Sequence, residues 1–403
     1  MGKKQIRPYR NIPFDLGATL NTGDITAIRD AAKENGLNEL PIPSLLSRFS
    51  KYISLRFTVN DDIRLYIYSF GIGVFTMRDD TYDIVSEKYA VEYCESRKKY
   101  HHMILNGEHK YSETLFSVIE WMRNCVKANN KSIRSTASLN WESNGLSYVM
   151  TVSSVQLPDL ENFNYSELND TEKKNLLIML EPGIAHQEDT LLFDSNIKPE
   201  KVDPYGIDVS HQEPTNWMKS NDAGLYISWA AVIMYSRAVD DNSAKYLEYM
   251  EVDLQAMWMY VYCMYHVMSH KKQKDMKVST LKRKLFTFKK MYNEFASPDD
   301  SNIAEYFKNI RNELIRTSGI ELEKNKYLEY LEFCIEDTVS LNEEKTRKYS
   351  IFSEILLFVI AYAQIAPLLY HLLMGEYTNL GTWQIIVVAF VAVIGTILII
   401  RKE

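Results

Sequence analysis

Hydrophobic patterning changes twice along this chain, and each change predicts a different kind of structure. Within residues 1–240 short apolar runs alternate with polar ones. Segments 52–59 and 63–75 are rich in β-branched and aromatic residues and flank Asn60-Asp61-Asp62, a good turn, so they predict a β-hairpin. Segments 83–105 and 112–126 space their apolar residues for helices, while 146–155 and 225–234 read as further strands. Polar stretches bearing Pro or Gly, such as 157–170 and 196–214, separate them. Residues 1–240 therefore predict an α/β or α+β domain.

From Asp240 the period lengthens to that of helices. Leu247, Met250, Leu254, Met257, Val261, Met264 and Met268 recur at alternating spacings of three and four, a heptad-like seam on one long helix. Asp240 or Asn242 is placed to cap its start. The basic run 270–277 ends this helix or forms a turn, and a second helix follows at 279–295. Ala296-Ser297-Pro298-Asp299-Asp300 closes it. After 301–317 and a break at Ser318-Gly319, a last helix starts near Ile320. No Pro or Gly interrupts the chain from there to Ala366, which predicts a helix running straight on, about 80 Å in all. Its first half carries Tyr327, Leu328, Leu331, Cys334, Ile335, Val339 and Leu341, with Lys324 and Thr338 on the same stripe. Such a mixed seam fits helices packed around a wet axis, and equally an ordinary amphipathic helix. Residues 241–350 read as a helical stalk.

The third pattern is two uncharged apolar stretches, 355–374 and 381–400, joined by the short segment 375–380. Each is about 20 residues, enough for a helix through the hydrocarbon core of a bilayer. Residues 351–403 are thus expected to form a two-span hairpin, with spans about 352–374 and 381–400. Lys345, Arg347 and Lys348 precede it, Arg401 and Lys402 follow it, and the loop holds one charge, Glu376. That distribution places both termini in the cytoplasm and the chain in the inner cell membrane, with the lipid bilayer as partner. The fold class expected from these patterns is an α+β membrane protein.

Composition narrows the function. Apolar residues make up 46% and charged residues 25%, ordinary values for a chain that buries a core. The net charge of −7 argues against broad nucleic-acid binding. Cys94, Cys125, Cys263 and Cys334 lie far apart with no CxxC pair, so they read as reduced, mostly buried thiols. The basic start MGKKQIRPYR is not followed by an apolar run, so no signal peptide is expected, and Ile6 stands where a myristoylation site has Ser or Thr.

In the first span Ser353, Gln364 and His371 share one helical face, completed by Leu357, Ile360 and Pro367 or Leu368. Polar side chains in a span face water or the bundle interior, so this face is a candidate pore lining with Leu357 and Ile360 as an apolar constriction. Hydrogen bonding of Gln364 and His371 to a neighbouring helix explains them as well. Two helices cannot enclose a pore, so conduction requires a homo-oligomer. Glu376 would set a carboxylate ring at the outer mouth, or is simply a solvated loop acid.

An α/β domain, long helices, a stalk continuous with the first of two C-terminal spans, a short loop and the basic tail Arg401-Lys402-Glu403 together resemble the CorA family of divalent-cation channels. The run Glu251-Val252-Asp253-Leu254-Gln255-Ala256-Met257-Trp258, on a long helix before the stalk, is similar to that family too. The resemblance implies a pentamer, Mg²⁺ or another divalent cation as cargo, and an outer entrance at Gly375, Glu376 and Asn379. The family's Tyr-Gly-Met-Asn signature is replaced here by Tyr370-His371-Leu372-Leu373-Met374-Gly375-Glu376-Tyr377-Thr378-Asn379, which departs from a magnesium filter. The chain also resembles the divergent CorA-like effectors of type III CRISPR systems. That resemblance implies antiviral defence and opening by a nucleotide second messenger, a conjugate of S-adenosylmethionine and AMP (SAM-AMP). A housekeeping Mg²⁺/Co²⁺ transporter and a membrane-tethered signalling or scaffold protein are the alternatives.

Other candidate chemistry is sparse. Asp61-Asp62, Asp79-Asp80, Asp240-Asp241 and Asp299-Asp300 are acidic pairs that could hold divalent ions, though each sits where turns and helix starts favour Asp. Arg97-Lys98-Lys99, Tyr100, His101-His102, His109 and Lys110 could hold a phosphate and stack a base, as could Lys271-Lys272-Gln273-Lys274, or these are solvated helix ends. No P-loop, GxGxxG, GxSxG or HExxH occurs, so catalysis is not expected.

Overall fold

The computed structural model describes residues 5–78, 82–83, 107–108, 110–129, 152–156, 223–227, 231–236, 241–270, 277–297 and 305–373. The chain divides into two compact units, one of Met1–Lys272 with Ser279–Glu332 and one of Gln273–Val278 with Phe333–Glu403. The strands are β1 (Gln5–Asp15), β2 (Asn38–Glu39), β3 (Ile53–Asn60), β4 (Ile63–Tyr68), β5 (Ile72–Arg78), β6 (Tyr82–Asp83), β7 (Val152–Gln156), β8 (Ala223–Ile227) and β9 (Ala231–Ser236). The helices are α1 (Thr22–Glu34), α2 (Ser44–Phe49), α3 (Ser112–Asn129), α4 (Asp241–His270), α5 (Val278–Ala296), α6 (Glu305–Thr317) and α7 (Ile320–Leu373).

All nine strands among the described residues belong to one sheet, ordered β2-β3-β4-β5-β1-β7-β9-β8 with β6 beside β1. Every pairing is antiparallel except β7 with β9. The expected hairpin turn at Asn60-Asp61-Asp62 is present between β3 and β4. Segment 63–75 is two strands rather than one. The chain reverses at Ser69–Gly71, where Gly71 takes a φ of 85° and its N–H bonds to the Tyr68 carbonyl at 2.9 Å. Segment 225–234 likewise falls on two strands, β8 and β9.

Alternation along β4 and β5 sorts the sheet into two faces. Ile63, Leu65, Ile67, Phe75 and Met77 point one way and join Ile12 and Phe14 of β1 and Leu55 and Phe57 of β3. Ile28 and Ala32 of α1 and Leu115, Val118, Ile119, Met122 and Val126 of α3 close over them to make the apolar core. Asn21 caps α1 through a reciprocal pair with Asp24, at 3.0 and 2.9 Å.

The opposite face is covered by α4, which packs on β1, β5 and β7 and against α2 and α6. Its seam residues Leu247, Met250, Leu254, Met257 and Val261 are buried, but so are Glu248, Glu251, Asp253 and Gln255. A helix held between a sheet and other helices buries its whole circumference, so this stretch is not the one-sided seam of a coiled coil.

Helix α7 begins after Ser318-Gly319, where Gly319 takes a φ of 69°, and runs unbroken to Leu373. Its first turns are anchored by Phe288 of α5, which meets Tyr327 edge-on at 4.6 Å, and by a 3.0 Å ion pair between Lys289 and Glu332. Among the described residues no helix is long and apolar enough to cross a membrane. This overturns the expected α+β membrane-protein architecture with two spans, the ion-transport and membrane character attached to it, and the multi-pass placement in the inner membrane. The uncharged run 355–374 suggested a span by composition, but a span needs a helix that is long and apolar together, and no described helix meets both requirements. The expected second span, 381–400, lies outside the described residues.

Candidate functional site

Polar groups converge where the β3–β4 turn meets β1 and β5. Asn60 Oδ1 accepts the Asp62 backbone N–H at 2.9 Å, which folds the turn tightly, and the Asp62 carbonyl accepts the Arg78 N–H at 3.0 Å. The register then sets Arg64 opposite Thr76, Thr76 opposite Asn11, and Arg78 opposite Tyr9. Thr76 Oγ1 donates to Asn11 Oδ1 at 3.0 Å. Tyr9, Asp61, Asp62, Arg64, Thr76 and Arg78 line a small recess open to solvent. Two carboxylates and two guanidiniums share it, so it offers acceptors and donors together with no net charge.

Each wall is held by a defined contact. Tyr111 Oη donates to Asp62 Oδ2 at 2.7 Å, and that bond, with some burial, holds the phenol above its usual pKa. Arg64 Nη1 lies 3.2 Å from Glu248 Oε1 of α4, and Tyr66 Oη donates to the same oxygen at 3.1 Å. The pair is asymmetric: the Arg64 side chain is 47% exposed and that of Glu248 only 7%. Partial burial works against the Arg64 charge, but Glu248 and Tyr66 outweigh it and raise its pKa. Burial, then Glu248, push the Tyr66 phenol far up, so it remains a hydrogen-bond donor.

Deeper under α4 lies a second charged pair. Arg311 of α6 reaches Asp253 Oδ2 at 2.6 Å, donates to the Phe295 carbonyl from Nε at 3.0 Å and Nη2 at 2.7 Å, and lies 4.6 Å over the Phe295 ring. Burial pushes the Asp253 carboxyl up, opposed by Arg311 and Ser50. Both side chains are almost fully buried, which makes this a pin between helices rather than a site open to ligand.

Among the residues singled out in the sequence, Asp61 and Asp62 stand in the recess, and Asp241 opens α4. Ser353, Leu357, Ile360, Gln364 and His371 all fall on α7, where Ser353, Leu357 and Ile360 are exposed. The side chains of Gln364 and His371 lie outside the described residues, as do Gly375, Glu376 and Asn379 altogether. The pairs Asp79-Asp80 and Asp299-Asp300, the cluster 97–102 with His109, and the run 271–274 lie outside them too. No group of three or more His, Cys, Asp or Glu that could hold a metal occurs among the described residues. Tyr9, Arg64, Thr76, Arg78 and Glu248 escaped the sequence reading. A signal for Arg64 was present, since Arg64, Tyr66 and Tyr68 alternate strictly with Ile63, Leu65 and Ile67 and mark a polar sheet face.

No protein-family model, curated protein or solved structure matches this chain. The CorA resemblance therefore rests on the sequence features alone.

Proposed function

We propose that this chain is a ligand-regulated subunit of a homo-oligomeric effector. In this reading the sheet-bearing unit senses a small nucleotide-like ligand and α7 associates with its own copies. The output is a ligand-dependent change in that association, as in a signalling or scaffold protein. The observation that supports self-association is the exposure of α7. From Asn342 to Phe358 every residue but Ile351 is exposed, including Phe352 at 65% and Leu357 at 63%. Phe352, Ile355, Leu356, Leu357 and Phe358 point in several directions around the helix, since successive residues turn by about 100°. A contiguous apolar collar of this kind is not stable facing water. The same collar on further copies covers it, and cyclic symmetry closes the set. The recess supplies the sensing half, with guanidiniums for an anionic group and carboxylates for hydroxyls or amines.

Sedimentation of the full chain tests the assembly: an oligomer is expected, reduced toward monomer by Leu356→Lys, and a monomeric wild type overturns it. Sedimentation repeated with and without a SAM-AMP-type nucleotide tests the output. A nucleotide-dependent shift in oligomer size supports it. An intact oligomer that no nucleotide shifts overturns the regulation and leaves a constitutive scaffold.

A further inference from the structure

The pairing of Arg64 with Glu248 joins the recess to α4, and its asymmetry gives it a direction. Arg64 lines the recess and is half exposed, whereas Glu248 is buried on α4 and also accepts the Tyr66 hydroxyl. We propose that a phosphoryl-bearing ligand entering the recess takes Arg64 away from Glu248, and that this exchange reports occupancy to the first turns of α4. The proposal rests on the sensing role given above to the sheet-bearing unit.

The chemistry favours the exchange. A guanidinium presents five N–H donors in a planar fork, and only one short contact ties Arg64 to Glu248. A phosphoryl group between Arg64 and Arg78 meets two such forks, charge-assisted and bidentate, where Glu248 offers a single carboxylate to one. Asp61 and Asp62 line the same space and repel a bare anion, so they select a ligand that also carries hydroxyl or amine donors. Once Arg64 turns away, Glu248 keeps the Tyr66 hydroxyl. Arg56 is another cation beside that phenol, its guanidinium carbon 5.5 Å over the Tyr66 ring. A buried carboxylate that loses its direct cation favours any motion of α4 that rehydrates it.

The test is calorimetric titration of the full chain with inorganic phosphate and with ribose 5-phosphate, alongside hydrogen exchange over 241–255. Ribose 5-phosphate is expected to bind more tightly than phosphate, and Asp61→Asn to narrow that difference. Arg78→Ala is expected to weaken ribose 5-phosphate by about tenfold or more, the size of a lost charge-assisted hydrogen bond. Glu248→Gln is expected to tighten it, because the competitor for Arg64 is weakened. Binding should accelerate exchange over 241–255 in the wild type and leave it unchanged in Glu248→Gln. If ribose 5-phosphate binds through Arg78 but Glu248→Gln neither tightens binding nor removes the exchange response, the switch is wrong and the sensing role stands. If neither probe binds folded wild type, the phosphoryl site is wrong, and if a SAM-AMP-type nucleotide also fails to bind, the sensing role falls with it. A thermal melt of each variant separates unfolding from lost binding.

Discussion

The two faces of the central sheet are built on opposite principles. Toward α1 and α3 the contacts are mainly apolar, with Phe14 stacked on Phe75 at 4.9 Å. Toward α4 the strands present Arg56, Arg64, Tyr66, Tyr68 and Thr76, and the helix answers with Glu248 and Asp253. An apolar face gains stability from each area removed from water and tolerates many arrangements. A charged buried face gains little net energy, but each misplaced partner is costly, so it fixes where α4 may sit. That is the property a reporting helix requires, and it explains why the candidate site borders the second face.

The sharpest way to break the comparison is to remove one member from each face. Phe75→Ala should cost about 3–5 kcal/mol in urea denaturation, because the ring is fully buried against Phe14. Arg311→Ala should cost a similar about 3–5 kcal/mol by leaving Asp253 buried without its cation. The faces should part in the double variant. Arg311→Met with Asp253→Leu is expected to recover most of the loss, since well-packed apolar residues replace a buried pair at little cost. A double variant as unstable as Arg311→Ala would show that this pair is worth more than its desolvation.

A smaller effect follows from Asp253 itself. Its pKa is raised in the folded chain by burial. The native state therefore holds this proton to higher pH than the unfolded state does. Its stabilising contribution is complete below the ordinary aspartate value of about 3.9 and is lost as pH rises through the folded value. The stability advantage of wild type over Asp253→Asn should shrink as pH rises from about 4, in denaturation measured at several pH values. An advantage that grows would mean that Arg311 outweighs burial. Smallest of all is Glu248→Gln, expected to cost about 0.5–1 kcal/mol, because Arg64 is half exposed and Gln still accepts the Tyr66 hydroxyl.

Legibility in the sequence followed how local each cause was. Helix α3 was readable because its apolar spacing is a property of one segment, and the break before α7 because Ser318-Gly319 supplies a left-handed residue. The turn at Ser69–Gly71 was hidden by the apolar residues on both sides. Strand β1 was hidden by Arg7, Pro8 and Arg10, polar or strand-breaking in sequence although Arg10 is fully buried. The uncharged run after Glu354 read as a span by composition, an expectation the described helices do not meet. Of the candidate site only Asp61 and Asp62 were visible, as a turn and as an acidic pair.

The sequence by itself determined the hairpin turn at Asn60-Asp61-Asp62, the unbroken helix from Ile320 and the alternation on β4, since each depends on neighbours within a few residues. Tertiary structure alone decided that Tyr9, Arg64 and Arg78 share a recess and that Arg64 meets Glu248 across 184 positions. Strand register and helix packing bring such residues together, and neither is written in any single segment.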